Sequence, residues 1–289
     1  MAHKLTKQQT IGSVLRCPHG PIDVRREFDP RATPLFPGNG KLDAPKAAGQ
    51  LLPGLDDLQE RLFANSRAGN PQTPSVLLVL QGMDTAGKGG VITHVIGMVD
   101  PQGVHIKAFK APTPEELSHD FLWRVRNELP VAGQIGIFDR SHYEDVLIGR
   151  VDSLAPIDEI EARYGLINEF EQQVTDSGTR IVKCFLNVSR SEQRKRLMAR
   201  LDDPSKYWKY NPDDLKARAK WDDYMKAYAL VLERCNTDAA PWYVIPADRK
   251  WYRNWAIAQL LLETLTSLNL EWPPAAFDVE AEKILVRQS

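Results

Sequence analysis

Val76-Leu-Leu-Val-Leu-Gln81, running straight into Gly82-Met83-Asp84-Thr85-Ala86-Gly87-Lys88-Gly89-Gly90, is the stretch on which the fold turns. Six residues of apolar, strand-like sequence stop at a glycine loop. Beyond the loop, Val91, Ile92, Val95, Ile96 and Val99 recur at helical spacing. Strand, glycine loop, helix is the order that a phosphate-cradling P-loop requires. Gly82 and Gly87 let the backbone turn so that successive N–H groups face phosphate oxygens. Lys88 adds a fixed positive charge, and the helix N-terminus adds its dipole. One position departs from the usual pattern. The Ser or Thr expected after the lysine is Gly89, so the hydroxyl that commonly holds Mg²⁺ is missing, while an acid, Asp84, stands inside the loop. A carboxylate among phosphates is unfavourable unless a cation or proton answers it. Asp84 therefore reads as a metal-linked or acceptor-activating group, and Gly82, Gly87, Gly89 and Lys88 as phosphate contacts.

Composition narrows the class. The chain has 289 residues, 43% hydrophobic and 26% charged, with a formal net charge of −1. These are the proportions of an ordinary globular protein, and no global basic field argues for nucleic acid. Cys17, Cys184 and Cys235 show no paired spacing and suit a reducing compartment, with Cys184 inside an apolar run. No apolar stretch reaches the roughly 18 residues of a membrane span, and the N-terminus lacks a signal-peptide core. A cytoplasmic protein without membrane partners is expected.

Residues 1 to about 50 are rich in Pro, Gly and charge and read as an extended arm, ahead of one P-loop domain over 51–289. A helix is expected from Leu55 to about Ala68. Then follow strand 76–81, helix 88–99, strand 104–109, helix 114–128, strand 134–138, a helix of about 157–176 and strand 180–188. A helix of about 190–201, a charged loop, helix 213–234, strand 242–246 and helix 251–268 complete the order. Five short apolar strands separated by helices predict an α/β fold of three layers, a mostly parallel sheet with helices on both faces. The site belongs at the carboxyl ends of the strands. Trp221, Tyr224, Met225, Tyr228 and Leu232 form a stripe expected to be buried. Trp251, Tyr252 and Trp255 read as packing groups rather than base-stacking ones.

Downstream, Gln134-Ile-Gly-Ile-Phe138 ends in Asp139-Arg140-Ser141-His142-Tyr143-Glu144-Asp145. An apolar strand ending in aspartate, after a P-loop, is the Walker B arrangement, and strand pairing brings that carboxylate beside the phosphates. With Gly89 unable to coordinate, Asp84 and Asp139 carry the protein's share of Mg²⁺, which takes only one or two carboxylates and keeps its waters. Arg140 suits bidentate binding of a transferring phosphoryl group. His142 reads more weakly, as a hydrogen-bonded bystander. From Arg190 to Lys220 there are ten Lys and Arg against five Asp and Glu. Arg196 and Arg200 share a helix face there. Either this is a solvated face, or Arg196, Arg200, Lys206 and Lys209 belong to a lid at about 190–220 that closes over phosphates. At the end of the second strand, Lys110 and, further on, Arg124 are candidate acceptor contacts, with Glu144 as a weaker third.

Taken in order, the loop 82–90, Phe109-Lys-Ala-Pro112, His119-Asp-Phe-Leu-Trp-Arg124, Phe138-Asp-Arg-Ser-His-Tyr-Glu-Asp145, Asp203-Pro-Ser-Lys-Tyr-Trp-Lys209 and Ala240–Trp251 resemble the polyphosphate kinase 2 family from about Leu55 to Leu265. The resemblance implies a thymidylate-kinase-like P-loop fold and reversible phosphoryl transfer between inorganic polyphosphate and purine nucleotides (AMP, ADP, GMP or GDP). Mg²⁺, or Mn²⁺ in its place, is implied as cofactor, and a homo-oligomer, dimer or tetramer, as the assembly. By position it lays the family's loop acid on Asp84, its loop lysine on Lys88 and its Walker B pair on Asp139 and Arg140. The lid basics fall on Arg196, Arg200, Lys206 and Lys209. The sequence after Arg140 is similar to the subgroup that accepts both mono- and diphosphates, although that subgroup often has Asn at position 139. An ATP-dependent nucleoside monophosphate kinase, or a P-loop module that binds without transferring, are the alternatives.

Overall fold

The computed structural model describes residues 9–289. Two short helices, α1 (Ile11–Leu15) and α2 (Val24–Glu27), precede the long α3 (Ala44–Arg67) and β1 (Ser75–Gln81). Next come α4 (Lys88–His94), β2 (Val104–Ala108), α5 (Pro114–Leu117), α6 (Trp123–Arg126), β3 (Ile135–Asp139), α7 (Glu144–Val151), α8 (Ile157–Asp176) and β4 (Thr179–Asn187). The chain closes with α9 (Arg190–Leu201), α10 (Asp213–Ala219), α11 (Trp221–Arg234), β5 (Trp242–Pro246), α12 (Lys250–Ser267) and α13 (Val279–Gln288).

The five strands form one parallel sheet in the order β2-β3-β1-β4-β5. β1 lies at its centre with every residue buried, as its unbroken apolar run requires. Helices α3, α4 and α12 pack together on one side, and α7, α8 and α11 on the other, giving three layers. The register pairs Leu80 with Asp139 and Leu80 with Cys184. The end of β1 is thereby flanked by the ends of β3 and β4, and the loop that follows lies over the middle of the sheet's carboxyl edge.

Four helical expectations differ in extent. The long helix starts at Ala44 instead of Leu55, running through Pro53 and Gly54. Pro53 and Gly49 are both exposed, so water can satisfy the carbonyl that proline leaves free. Gly54 lets Leu262 of α12 approach, where a Cβ would meet its methyl at 3.1 Å. The helix expected over 88–99 ends at His94 and continues as a 3₁₀ turn over Ile96–Met98. The one expected over 114–128 is two short pieces. Thr113 and Glu116 cap the first reciprocally, and ahead of the second Asp120 Oδ1 accepts from Leu122 N at 3.0 Å in the turn between them. The one expected over 213–234 breaks at Lys220 into α10 and α11. Helices α7 and α13 lie where none was expected. Within the N-terminal stretch, Ile11, Leu15, Cys17, Ile22 and Val24 are buried in the core, so the described part of the arm is packed down rather than free.

The aromatic stripe of α11 is buried as expected, and so are Tyr252 and Trp255, with Trp251 edge-on to Phe36. All three cysteines are free and buried. No helix among the described residues is long and apolar enough to cross a membrane.

Candidate active site

The loop between β1 and α4 is shaped by unusual backbone angles. Gly87 has φ 112°, and the non-glycine Thr85 has φ 64°. A second non-glycine residue in the left-handed region is Arg140, at φ 66°, directly after β3. Each such residue costs on the order of 1–3 kcal/mol, a strain that persists only where the surroundings impose it. Arg140 is imposed by the sheet: its N–H donates to Leu80 O at 3.0 Å, continuing the β1–β3 pairing past the strand end. The turn aims its guanidinium at the loop, where Nη2 donates to Asp84 Oδ1 at 2.8 Å. Burial works against the Arg140 charge, but the carboxylates of Glu144 and Asp84 outweigh it and hold the guanidinium above its ordinary value. Lys88 is buried and folds back on the loop, Nζ donating to Gly82 O at 2.8 Å. The two strands are further tied at this edge by Gln81 Nε2 donating to Ser141 Oγ at 3.1 Å.

A cavity of about 730 Å³ opens beside this pair, between the loop, α7, α10 and α11. Five carboxylates line it, those of Asp84, Glu144, Asp152, Asp213 and Asp214, against three bases, Arg140, Lys216 and Lys220. Leu147, Ile148, Tyr224 and Tyr228 supply apolar wall. Burial raises the Glu144 carboxyl, opposed by the positive charges of Arg140 and Lys88. Asp214 is pushed up to about 6 by burial and by the nearby charge of Asp84, against the pull of Arg200.

The expected site residues divide. Gly82, Asp84, Lys88, Arg140 and Glu144 converge at the cavity or the loop above it. Asp139 ends β3 beside the loop by register, but its side chain is not part of the cavity wall. Arg124 and Lys110 lie elsewhere. The Arg124 guanidinium is buried over the Phe109 ring and donates to Lys110 O at 2.9 Å, and Arg124 lines a separate cavity of about 410 Å³ with Asp145 and Arg163. Lys110 is exposed. Among the lid basics, Arg196 is buried, with Nη1 on the carbonyls of Thr85 and Ala86 and Nη2 on those of Ala247 and Asp248. Its guanidinium holds the loop from behind and faces no open track. Arg200 is half-buried and joins Lys209 O at 2.6 Å to Asp214 at 3.3 Å. Lys206 and Lys209 are exposed, the first paired with Asp203 and the second over the Trp208 ring.

Sequence reasoning missed the acids of α10, Asp213 and Asp214, because the surrounding excess of positive charge drew attention to the bases. It also missed Gln193, whose side chain is fully buried and donates to Asp84 O at 3.0 Å. His142 is buried on Glu171 at 3.2 Å, within a network that Lys183 and Tyr143 complete beneath the site. That is the bystander reading.

Known proteins resemble this chain over most of its length. The family described as polyphosphate kinase 2 (PPK2) matches residues 52–272. The chain is 44% identical over 93% of its length to an AMP/ADP-polyphosphate phosphotransferase of Meiothermus ruber, covering 97% of that protein. It is 43% identical over 81% of its length to an ADP-polyphosphate phosphotransferase of Rhodopseudomonas palustris, covering 83% of it. The crystal structure of polyphosphate kinase 2 from Arthrobacter aurescens superposes with a TM-score of 0.92 at 52% identity, covering 97% of this chain and 98% of that one.

Proposed function

The chain belongs to the polyphosphate kinase 2 family and is a kinase moving phosphoryl groups between inorganic polyphosphate and nucleotides; from that premise we propose which residues perform the transfer. The observation that carries the assignment is the juxtaposition of Lys88, Arg140 and Asp84 at the mouth of an acid-lined cavity. The loop N–H groups and Lys88 bind the terminal phosphates of polyphosphate. The acceptor, AMP or ADP or a guanine analogue, lies in the cavity with its phosphate toward Arg140. Transfer breaks the bridging P–O bond of the terminal phosphate and forms a new one to an acceptor phosphate oxygen, in line. Lys88 and Arg140 stabilise the charge spread over the moving group. The strained turn at Arg140 keeps that guanidinium aimed before substrate arrives, so little reorganisation is needed. Reversal, from nucleoside triphosphate to polyphosphate, uses the same groups.

The donor set suits Mg²⁺, or Mn²⁺. A cavity with more carboxylates than bases, facing polyanionic substrates, is balanced only with added cations, and its hard oxygen ligands are those Mg²⁺ prefers. Among the described residues no three acidic, His or Cys side chains converge into a cage, in keeping with an ion held by one or two carboxylates and by phosphates. Asp84, in the cavity, would be its main holder, with Asp139 at the strand end beside the loop as the lesser one, and when bound it would supply neutralising charge to the phosphates. The 190–220 segment is read as a lid, which Arg200 supports by joining its 3₁₀ turn to Asp214 at the cavity wall. A homo-oligomer is also proposed. The exposed Ile284, Leu285 and Val286 of α13, apolar and uncovered, support it.

The test is ATP formation from ADP and polyphosphate with no ATP added, with Mg²⁺ present and absent. ATP formed from ADP equally well without polyphosphate, together with ADP formed from AMP only when ATP is the donor, would identify an ATP-dependent nucleoside monophosphate kinase instead.

A further inference from the structure

Arg253, on the first turn of α12, is 2% exposed and lies directly against the phosphate loop. Its Nη1 donates to Ala86 O at 3.0 Å, the same carbonyl that Arg196 reaches at 2.9 Å. Two guanidinium groups thus meet at one peptide of the loop. Nε and Nη2 of Arg253 both go to Asn254 Oδ1, at 3.1 and 2.8 Å. Arg196 has a carboxylate neighbour, Glu192 at 3.0 Å, whereas among the described residues Arg253 has none.

The approach is close enough to dictate sequence. A Cβ on Gly87 would fall 1.7 Å from Arg253 Nη1, and one on Gly90 would fall 2.7 Å from Nη2. At Gly89, between them, a Cβ would meet nothing. The glycines at 87 and 90 therefore make room for a buried cation as well as for phosphate. Leaving a buried charge unanswered is unfavourable, and evolution of a fold alone would favour an apolar residue here. The usual compensation, a carboxylate, is absent from its contacts. An anion on the far side of the loop would provide it.

We propose that Arg253 is a positioning residue for polyphosphate: with Arg196 it clamps the Ala86 carbonyl from behind, and its unanswered charge acts through the loop on the bound phosphates. Hydrogen bonds to the Ala86 carbonyl polarise the peptide it shares with the Gly87 N–H, making that group a stronger donor toward phosphate. Burial, and then the like charge of Arg196, push the Arg253 guanidinium down to about 9, so it remains charged at neutral pH. This inference rests on the reading that the loop binds phosphate.

The substitution Arg253→Met removes the charge at similar volume. It strands no buried acceptor, because Ala86 O keeps Arg196 and Asn254 is only half-buried. The expected result is a ligand-free melting temperature equal to or above that of the wild type, with tripolyphosphate binding, by calorimetry, weakened at least tenfold. The KM for polyphosphate should rise while that for ADP holds. A purely structural arginine gives the opposite pair: a lower melting temperature and unchanged affinity. Wild-type affinity in a folded Arg253→Met protein overturns the proposal. Should that variant fail to fold, Arg253→Gln, which keeps a donor for Ala86 O, carries the comparison on the same criterion. Failure of both to fold assigns Arg253 to the fold and also overturns it. A wild-type protein that binds no tripolyphosphate at all would instead overturn the reading of the loop itself.

Discussion

Replacing Asp84 and Asp139 one at a time by Asn separates the two acids that sequence alone treats as a pair. Asp84 is in the cavity, 2.8 Å from Arg140, with its backbone carbonyl held by Gln193. Asp139 is fixed by strand register, and its side chain is outside the cavity wall. Asn at 84 keeps the shape and one acceptor oxygen but removes the charge that answers Arg140 and any bound cation. The side chains of the Arg140–Asp84 pair are 38% and 24% exposed, so solvent screens it, and its loss should lower stability by no more than about 1 kcal/mol. The transition state is a different matter, since two polyanions meet there. A misplaced neutralising charge should cost about 2.7 kcal/mol or more, which is about a hundredfold in turnover. For Asp139→Asn the expected loss is about tenfold or less. Initial rates of ATP formation from ADP and polyphosphate, measured across a Mg²⁺ titration alongside thermal melts, give both quantities. Near-wild-type rates for Asp84→Asn at low Mg²⁺ would refute the metal assignment. Equal losses for the two variants would refute the distinction drawn from the cavity.

Arg200→Ala should raise the KM for polyphosphate, with a smaller effect on ADP, because it releases the Lys209 carbonyl and Asp214 together; unchanged kinetics at two ionic strengths would make this stretch a solvated face. Asp214 has its carboxyl raised to about 6 in the folded chain, so it favours folding below about pH 4, and that contribution fades as pH rises through about 6. Asp214→Asn should therefore flatten the melting temperature's pH dependence between about pH 4 and 6, and an unaltered profile would contradict the assignment. Gly89→Ala should stabilise α4 by up to about 1 kcal/mol, since a Cβ there meets nothing. Gly90→Ala should destabilise by about 1–3 kcal/mol through its clash with Arg253. Melting of the two alanine variants side by side checks both signs.

What could be read in advance follows the range of the interactions. The strands were legible because each is a short apolar run between breakers, and a buried parallel strand needs little else. The loop and the Asp139-Arg140 turn were legible because their chemistry is local, with the residues adjacent in the chain. Helix breaks at Ser118 and Lys220 depend on capping choices that periodicity does not register. The continuation of α3 through Pro53-Gly54 depends on α12, some two hundred residues away. The basic segment shows the limit most clearly. Charge and spacing grouped Arg196 with Arg200, Lys206 and Lys209, but only the fold distinguishes a guanidinium wedged behind the loop from amines in solvent.

The distribution of charge around the loop suggests why acids and bases are placed as they are. Cations sit behind the loop, at Arg196 and Arg253, and within or beside it, at Lys88 and Arg140, while the donor phosphates would occupy the loop's other face. Carboxylates line the cavity in front, at Asp84, Glu144, Asp152, Asp213 and Asp214. A long polyanion is repelled from such a cavity unless cations accompany it, whereas a nucleotide brings a base and sugar that can rest on Tyr224, Tyr228, Leu147 and Ile148. Like-charge repulsion is an efficient way to exclude the wrong partner from a site. On the proposed placement of the substrates, the acid-lined wall would work as a filter, keeping polyphosphate on the loop side and leaving the cavity to the smaller acceptor. Neutralising it, by Asp213→Asn with Asp152→Asn, should let short polyphosphates compete with ADP. Inhibition of ATP formation by tripolyphosphate should then become competitive with ADP, where the wild type should show competition only with the longer donor. A double variant whose inhibition pattern matches the wild type would show that shape, not charge, keeps the two substrates apart.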